Sequence, residues 1–196
     1  MLTPQAPEPE PCSETTVVDA RPPLSELLPT GNLRVLVLVG GFAAIVGSFA
    51  RYEFGTWALI GAVICPVLLL LAAIDATHRL LPNTIVLPTT LVVAVILLVG
   101  APSRFLPHFV AALALGGFFF ASALIFPGSV GIGDAKLGFL LGLALGSRVL
   151  AALIFASAGL LVAALYILAT RGSSARKDTI PFGPFLAAGG ILAFFL

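Results

Sequence analysis

Charge is scarce in this chain: 10% of its 196 residues are Asp, Glu, Lys or Arg, while 59% are hydrophobic. A soluble domain carries about 25% charged residues, and no soluble fold of this length hides so much apolar surface from water. A bilayer accepts it. Cysteine is equally sparse. Cys12 lies in a polar stretch and Cys65 in an apolar run, a poor pairing for a disulfide. Two thiols cannot complete a four-ligand zinc site, and His78 and His108 bring no cysteine or carboxylate cluster with them. Neither a metal nor a cofactor is therefore expected, and nucleic acid is not expected as a partner. The N-terminal stretch lacks a basic start followed by an apolar core, so it is not expected to be a secretory signal peptide.

What the first 32 residues do have is proline and acid. They hold Pro4, Pro7, Pro9, Pro11, Pro22, Pro23 and Pro29, and the acids Glu8, Glu10, Glu14, Asp19 and Glu26 against one base, Arg21. This composition reads as a disordered tail, residues 1–32, ahead of a membrane domain over 33–196.

From residue 33 onward, apolar runs of the length that crosses a hydrocarbon core of ~30 Å recur. They predict an all-α polytopic bundle of six to seven helices, over residues 33–50, 56–74, 85–99, 105–126, 136–145, 149–169 and 180–196. Local breakers separate them: Arg51 to Gly55, the polar stretch Asp75 to Asn83 with Pro82, Ala101 to Arg104, Pro127 to Ser129, and Arg171 to Asp178. The fifth helix is too short to span, at ~18 Å. Joined to the sixth it is too long, at ~52 Å, so a break falls near Gly146, Ser147 and Arg148. The loop carrying Asp134 then sits below the membrane surface, which irregular backbone tolerates only inside protein or beside a wet cavity.

Seven spans place Arg21, Arg34, Arg79, Lys136, Arg171, Arg176 and Lys177 on one side, and Arg51, Arg104 and Arg148 on the other. The richer side is expected to be cytoplasmic. It also holds the tail, Asp75 and Asp134. A multi-pass protein of the plasma membrane is the implied location.

After the tail four acids remain: Glu53, Asp75, Asp134 and Asp178. Glu53 and Asp178 lie in loops and read as solvated charges. Asp75 follows one apolar helix and Asp134 precedes another, on the same predicted side. A charge in a bilayer costs ~2.5 kcal/mol or more, so such acids have a task or a partner. Two aspartates suit peptide hydrolysis: one carboxylate takes a proton from the attacking water and the other acid donates one. Like charges a few ångströms apart do not both ionise cheaply, so such a pair shares a proton and titrates as a unit. The carboxylates alone leave three readings open: catalysis, proton or ion transport, and helix capping.

The local sequences narrow this. Asp75-Ala76-Thr77-His78-Arg79-Leu80-Leu81-Pro82-Asn83 resembles the first aspartate motif of type IV prepilin peptidases. Gly131-Ile132-Gly133-Asp134-Ala135-Lys136 resembles the family's GxGDxK motif, and Ile180-Pro181-Phe182-Gly183-Pro184-Phe185 resembles the start of its last helix. The three stand in family order, and the resemblance covers roughly residues 34–196. It implies a GxGD intramembrane aspartyl protease that cuts prepilin or pseudopilin leaders at the cytoplasmic face, with Asp75 and Asp134 as the catalytic pair. Pilus or secretion assembly machinery and the lipid bilayer are the implied surroundings.

Supporting roles follow. Gly131 and Gly133 permit backbone conformations and close approaches closed to other residues. Lys136 is placed to hold the Asp134 anion or a lipid phosphate. Pro82 fixes the turn after the first motif, and Asn83 is placed to cap the third helix. Pro181, Gly183 and Pro184 break the last helix near the site. His78 reads as a solvated loop residue, and His108 has no visible partner. Long family members carry an insert with two CxxC pairs, associated with methyl transfer. Neither is present here, so the chain resembles the short, peptidase-only form, as found with Flp-type pili, and methyltransferase activity is not expected. A small proton- or ion-coupled transporter and a catalytically inactive scaffold remain the alternatives. A presenilin-type protease shares GxGD, but its Tyr-Asp and Pro-Ala-Leu motifs are absent.

Overall fold

The computed structural model describes residues 27–29, 31–125, 131–171 and 181–196. The proposed tail lies almost wholly outside these residues, as do Cys12, the Pro127–Ser129 break and Asp178. Among them are seven α-helices and no strand: α1 (Asn32–Tyr52), α2 (Thr56–His78), α3 (Asn83–Gly100), α4 (Pro102–Ile125), α5 (Ile132–Leu145), α6 (Val149–Arg171) and α7 (Gly183–Phe195). A 3-10 turn, Gly146–Arg148, joins α5 to α6. The expected helices are all present, with boundaries moved by a few residues.

Helix is the structure that satisfies every backbone group internally where lipid offers no hydrogen bonds. The buried hydroxyls follow the same rule. Ser48 Oγ donates to the Ala44 carbonyl at 2.7 Å, and Thr89 Oγ1 to Ile85 at 2.7 Å. The helices also expose apolar side chains that water would reject: Leu36 and Phe42 on α1, Val99 on α3, Leu124 on α4 and Tyr166 on α6. Helices α1 to α4 and the stretch Ile132–Thr170 are long and apolar enough to cross a membrane. This is a multi-pass membrane protein.

The Gly146 turn divides the stretch Ile132–Thr170 into two antiparallel helices, as expected. Gly146 has φ +57°, a conformation that costs glycine little and other residues more. Its Cα also faces the His108 ring, which a Cβ would strike at 2.6 Å.

Helix α2 lies at the centre, burying Ile60, Ile64, Leu68, Leu71 and Ile74 at helical spacing against α1, α3 and α7. Helix α5 is the second central element, held mainly by α4. Their contact is close because Gly142 faces the α4 backbone: a Cβ there would lie 2.5 Å from Ala112 Cα. Small residues at such crossings let membrane helices approach.

Two helices are short. Helix α5 has 14 residues and α7 has 13, about 20 Å each. Both begin at the end of the bundle where α2 finishes, and this places the site.

Candidate active site

Asp75 sits in the last turn of α2. The sequence reading put it just after the helix; instead the helix runs on to His78. Arg79 closes it in a left-handed conformation, φ 54°, its N–H donating to the Asp75 carbonyl at 2.9 Å. The polar residues after Ile74 therefore form a final turn rather than a loop, and His78 belongs to that turn. The Asp75 side chain is 7% exposed.

Its carboxylate is met from above by the start of α7. The Gly183 N–H donates to it. Gly183 is the first residue of α7, so this amide is one of those a helix leaves without an internal partner. The positive end of the helix dipole favours an anion there. The approach is close enough to require glycine, since a Cβ on Gly183 would lie 2.9 Å from Asp75 Cγ and nearer still to Oδ2. Pro181 and Pro184 thus flank the beginning of α7, with Pro184 at its first turn. They start that helix and do not break it, the position where proline costs least.

Asp134 is also inside a helix, in the first turn of α5. The loop expected around it has tightened, because Gly131 takes the N-cap position and the Asp134 N–H donates to the Gly131 carbonyl at 3.0 Å. The Gly131 N–H in turn donates to the Asp134 carboxylate, the half of a capping box in which the third helical residue reaches back to the N-cap amide. The two carboxyl groups lie near enough for the Asp75 charge to act on Asp134.

Three further contacts lock the motifs together. Lys136 Nζ donates to Asn83 Oδ1 at 2.7 Å, tying the first turn of α5 to the first residue of α3. This corrects both expected roles: Pro82, with extended backbone, is the N-cap of α3, no side chain caps that helix, and Asn83 is the partner of Lys136. Leu81 packs on Gly133, where a Cβ would meet Leu81 Cβ at 3.0 Å. The Phe182 ring lies 5.7 Å from that of Phe119 on α4.

Of the residues singled out in the sequence, Asp75, Asp134, Gly131, Gly133, Lys136, Pro82, Asn83 and Gly183 form one cluster at one end of the bundle, and Pro181 stands beside it. The sequence reading missed Arg79, whose charge acts on Asp75. The signal was present, since a residue four positions on shares a helix face. No group of three or more His, Cys, Asp or Glu suited to a metal occurs among the described residues. His108 lies at the far end and does have partners: its Nδ1 is 2.8 Å from the Leu143 carbonyl, and Trp57 stacks 5.3 Å away.

The geometry offers two carboxyl groups held by backbone amides at the mouth of three helices, with the paired Lys136 set aside from them. Comparison with known proteins identifies the family. Residues 62–168 match the type IV leader peptidase family. The chain is 36% identical over 157 residues to a Bacillus subtilis protein named prepilin leader peptidase/N-methyltransferase, covering 77% of this chain and 62% of that protein. Proteins of the same name from two strains of Burkholderia pseudomallei are 32% identical over 175 residues, covering 85% of this chain and 56% of theirs. The chain spans roughly three-fifths of the length of these relatives. No solved structure gives a significant match.

Proposed function

The chain belongs to the type IV leader peptidase family, and from that premise we propose that it is a membrane-embedded aspartic endopeptidase that removes the leaders of type IV prepilins, Flp-type prepilins or pseudopilins, using Asp75 and Asp134. One observation carries this reading: two interacting carboxyl groups from different motifs, each hydrogen-bonded by a glycine N–H, meet at one end of the bundle.

In the proposed reaction, water lies between the two side chains. One carboxylate takes a proton from it as the oxygen attacks the scissile carbonyl. The other, protonated, hydrogen-bonds the developing oxyanion and then protonates the leaving amine. The C–N bond breaks, a C–O bond has formed, and the proton has passed between the two acids. The amides of Gly131 and Gly183 hold the carboxylates without transferring a proton. The substrate is a single apolar helix with a short basic leader that keeps its cut site on the Asp75 side of the membrane, which this reading takes as cytoplasmic. A helix hides its scissile carbonyls in hydrogen bonds, so the cut site must be unwound, and glycine there favours that. The proposal is confined to the peptidase half of the relatives' printed name, because Cys12 and Cys65 form no CxxC pair.

The test is leader release from a prepilin-like substrate by the reconstituted protein, followed by mass spectrometry. Wild type should cut once, behind the leader. Asp75→Asn and Asp134→Asn should insert, fold and fail to cut. Full cleavage by either variant removes that aspartate from the mechanism. Proton or ion flux without cleavage would favour a transporter instead.

A further inference from the structure

The opposite end of the bundle holds a cavity of about 290 Å³ lined by Tyr52, Trp57, Arg104, His108, Ser147 and Arg148, among others. It lies where α1 ends, α2 begins, α4 begins and α6 begins. In a membrane protein these helix ends mark the headgroup level. Among the described residues no acid lines it; Glu53, on the neighbouring connection, is not part of the lining.

Two cations therefore converge without a carboxylate. Arg148 is braced: its Nη1 donates to Tyr52 Oη at 2.8 Å and lies 3.4 Å from the Phe194 carbonyl. Tyr52 itself donates to Phe194 O. These bonds fix the guanidinium while leaving Nε and Nη2 out of them. Arg104 stands in the first turn of α4, where the helix dipole disfavours a cation and favours an anion. His108 is fixed by the Leu143 carbonyl; since a carbonyl only accepts, Nδ1 carries the proton. Exposed apolar side chains follow the lining residues along the chain: Phe54, 94% exposed, lies two positions beyond Tyr52, and Leu106 and Leu150, also exposed, each lie two positions beyond an arginine.

We propose that this cavity binds the phosphodiester of an anionic phospholipid, with Arg104 and Arg148 on the phosphate and the acyl chains running along the exposed apolar surface of α4 and α6. Planar guanidinium groups suit phosphate oxygens, and the aromatic lining suits the interface. The site is independent of the aspartates and of the peptidase reading.

Trp57 is the single tryptophan of the chain and lines the cavity, so it serves as the reporter. The protein is reconstituted in phosphatidylcholine with a small fraction of phosphatidylglycerol carrying brominated, fluorescence-quenching acyl chains, or with brominated phosphatidylcholine at the same fraction. Trp57 quenching should be markedly stronger with the anionic lipid. Arg104→Gln should weaken that preference about tenfold, the loss of one charge-assisted hydrogen bond, whereas Arg104→Lys should retain most of it. Equal quenching by the two lipids in wild type overturns the proposal whatever the variants do. An undiminished preference in Arg104→Gln overturns it as well. Displacement of the brominated anionic lipid by millimolar inorganic phosphate would make the cavity a free-anion site and overturn the lipid assignment.

Discussion

The two ends of the bundle handle charge in opposite ways. At one end Asp75 and Asp134 are held by backbone: glycine amides at the starts of α7 and α5 point at the carboxylates. At the other end Arg104 and Arg148 gather with Tyr52, Trp57 and His108 around a cavity, and the Tyr52 hydroxyl together with the Phe194 and Leu143 carbonyls does the holding. The difference lies in what each arrangement leaves free. An amide stabilises a carboxylate without competing for its proton, so a backbone-held pair can still exchange one. A braced guanidinium keeps its charge at any accessible pH and suits binding rather than proton transfer. With so few charges in the chain, gathering the two acids at one end and an acid-free arginine cavity at the other gives each end a separate chemistry.

The sharpest way to break this comparison is to neutralise one charge at each end. Asparagine at Asp75 or at Asp134 should lower cleavage by at least ~10³-fold, since it keeps the shape but cannot carry the proton. Arg104→Gln should leave cleavage within about twofold, the range of an exposed substitution. Initial rates of leader release on matched amounts of folded protein decide it. A comparable loss at both ends would mean that the cavity belongs to the reaction.

The next effect tests whether backbone really holds the acid. Gly183→Ala places a methyl group 2.9 Å from Asp75 Cγ, so the carboxyl or the start of α7 must move. Misplacing a catalytic group by about 1 Å can cost about a hundredfold in rate. The expected outcome is a fall of that size in kcat, with little change in KM and an unchanged melting temperature. Gly117→Ala, where a Cβ meets nothing within 4 Å, is the control and should be silent. A silent Gly183→Ala would show that Asp75 does not depend on this approach.

A third substitution separates scaffold from site. Gly142→Ala drives a Cβ to 2.5 Å from the Ala112 backbone, and backbone cannot yield as a flexible side chain can. Overpacking of this kind costs about 1–3 kcal/mol. Thermal unfolding followed through Trp57 should shift down, and cleavage per folded molecule should stay near wild type once α4 and α5 have re-seated.

Much of this was legible in the sequence, and the remainder fell short for identifiable reasons. The helices were, because apolar run length and local breakers are written along the chain. So was the division at Gly146, because a helix of fixed rise cannot cover that stretch in one crossing. The end of α2 was misplaced because polarity after Ile74 looked like a loop, whereas a membrane helix can finish in polar residues at the surface once Arg79 supplies a left-handed cap. The three motifs could be named as a site, but not how they touch. That Gly183 offers its amide to Asp75, that Asn83 takes Lys136, and that His108 finds the Leu143 carbonyl are all contacts between distant parts of the chain. Spacing along one helix predicts neighbours three or four residues apart and says nothing of these.

The smallest expected effect concerns the Lys136–Asn83 bond. Lys136 lies two residues beyond Asp134, and a direct pairing of the two was the natural expectation; instead its Nζ donates to Asn83 Oδ1 at 2.7 Å. Its task in this geometry is to dock the start of α5 on the start of α3 and so keep Asp134 facing Asp75. Losing a hydrogen bond of this charged kind costs roughly 1.5–3 kcal/mol when a partner stays buried, and less at this half-exposed position. Lys136→Met and Asn83→Leu should each slow cleavage about tenfold or less. The double variant should be hardly slower than either alone, because the two residues act through one bond. If the losses multiplied, Lys136 would be acting on the substrate or on Asp134 directly. The comparison would then change, since a second side-chain cation besides Arg79 would be working at the end where backbone amides hold the acids.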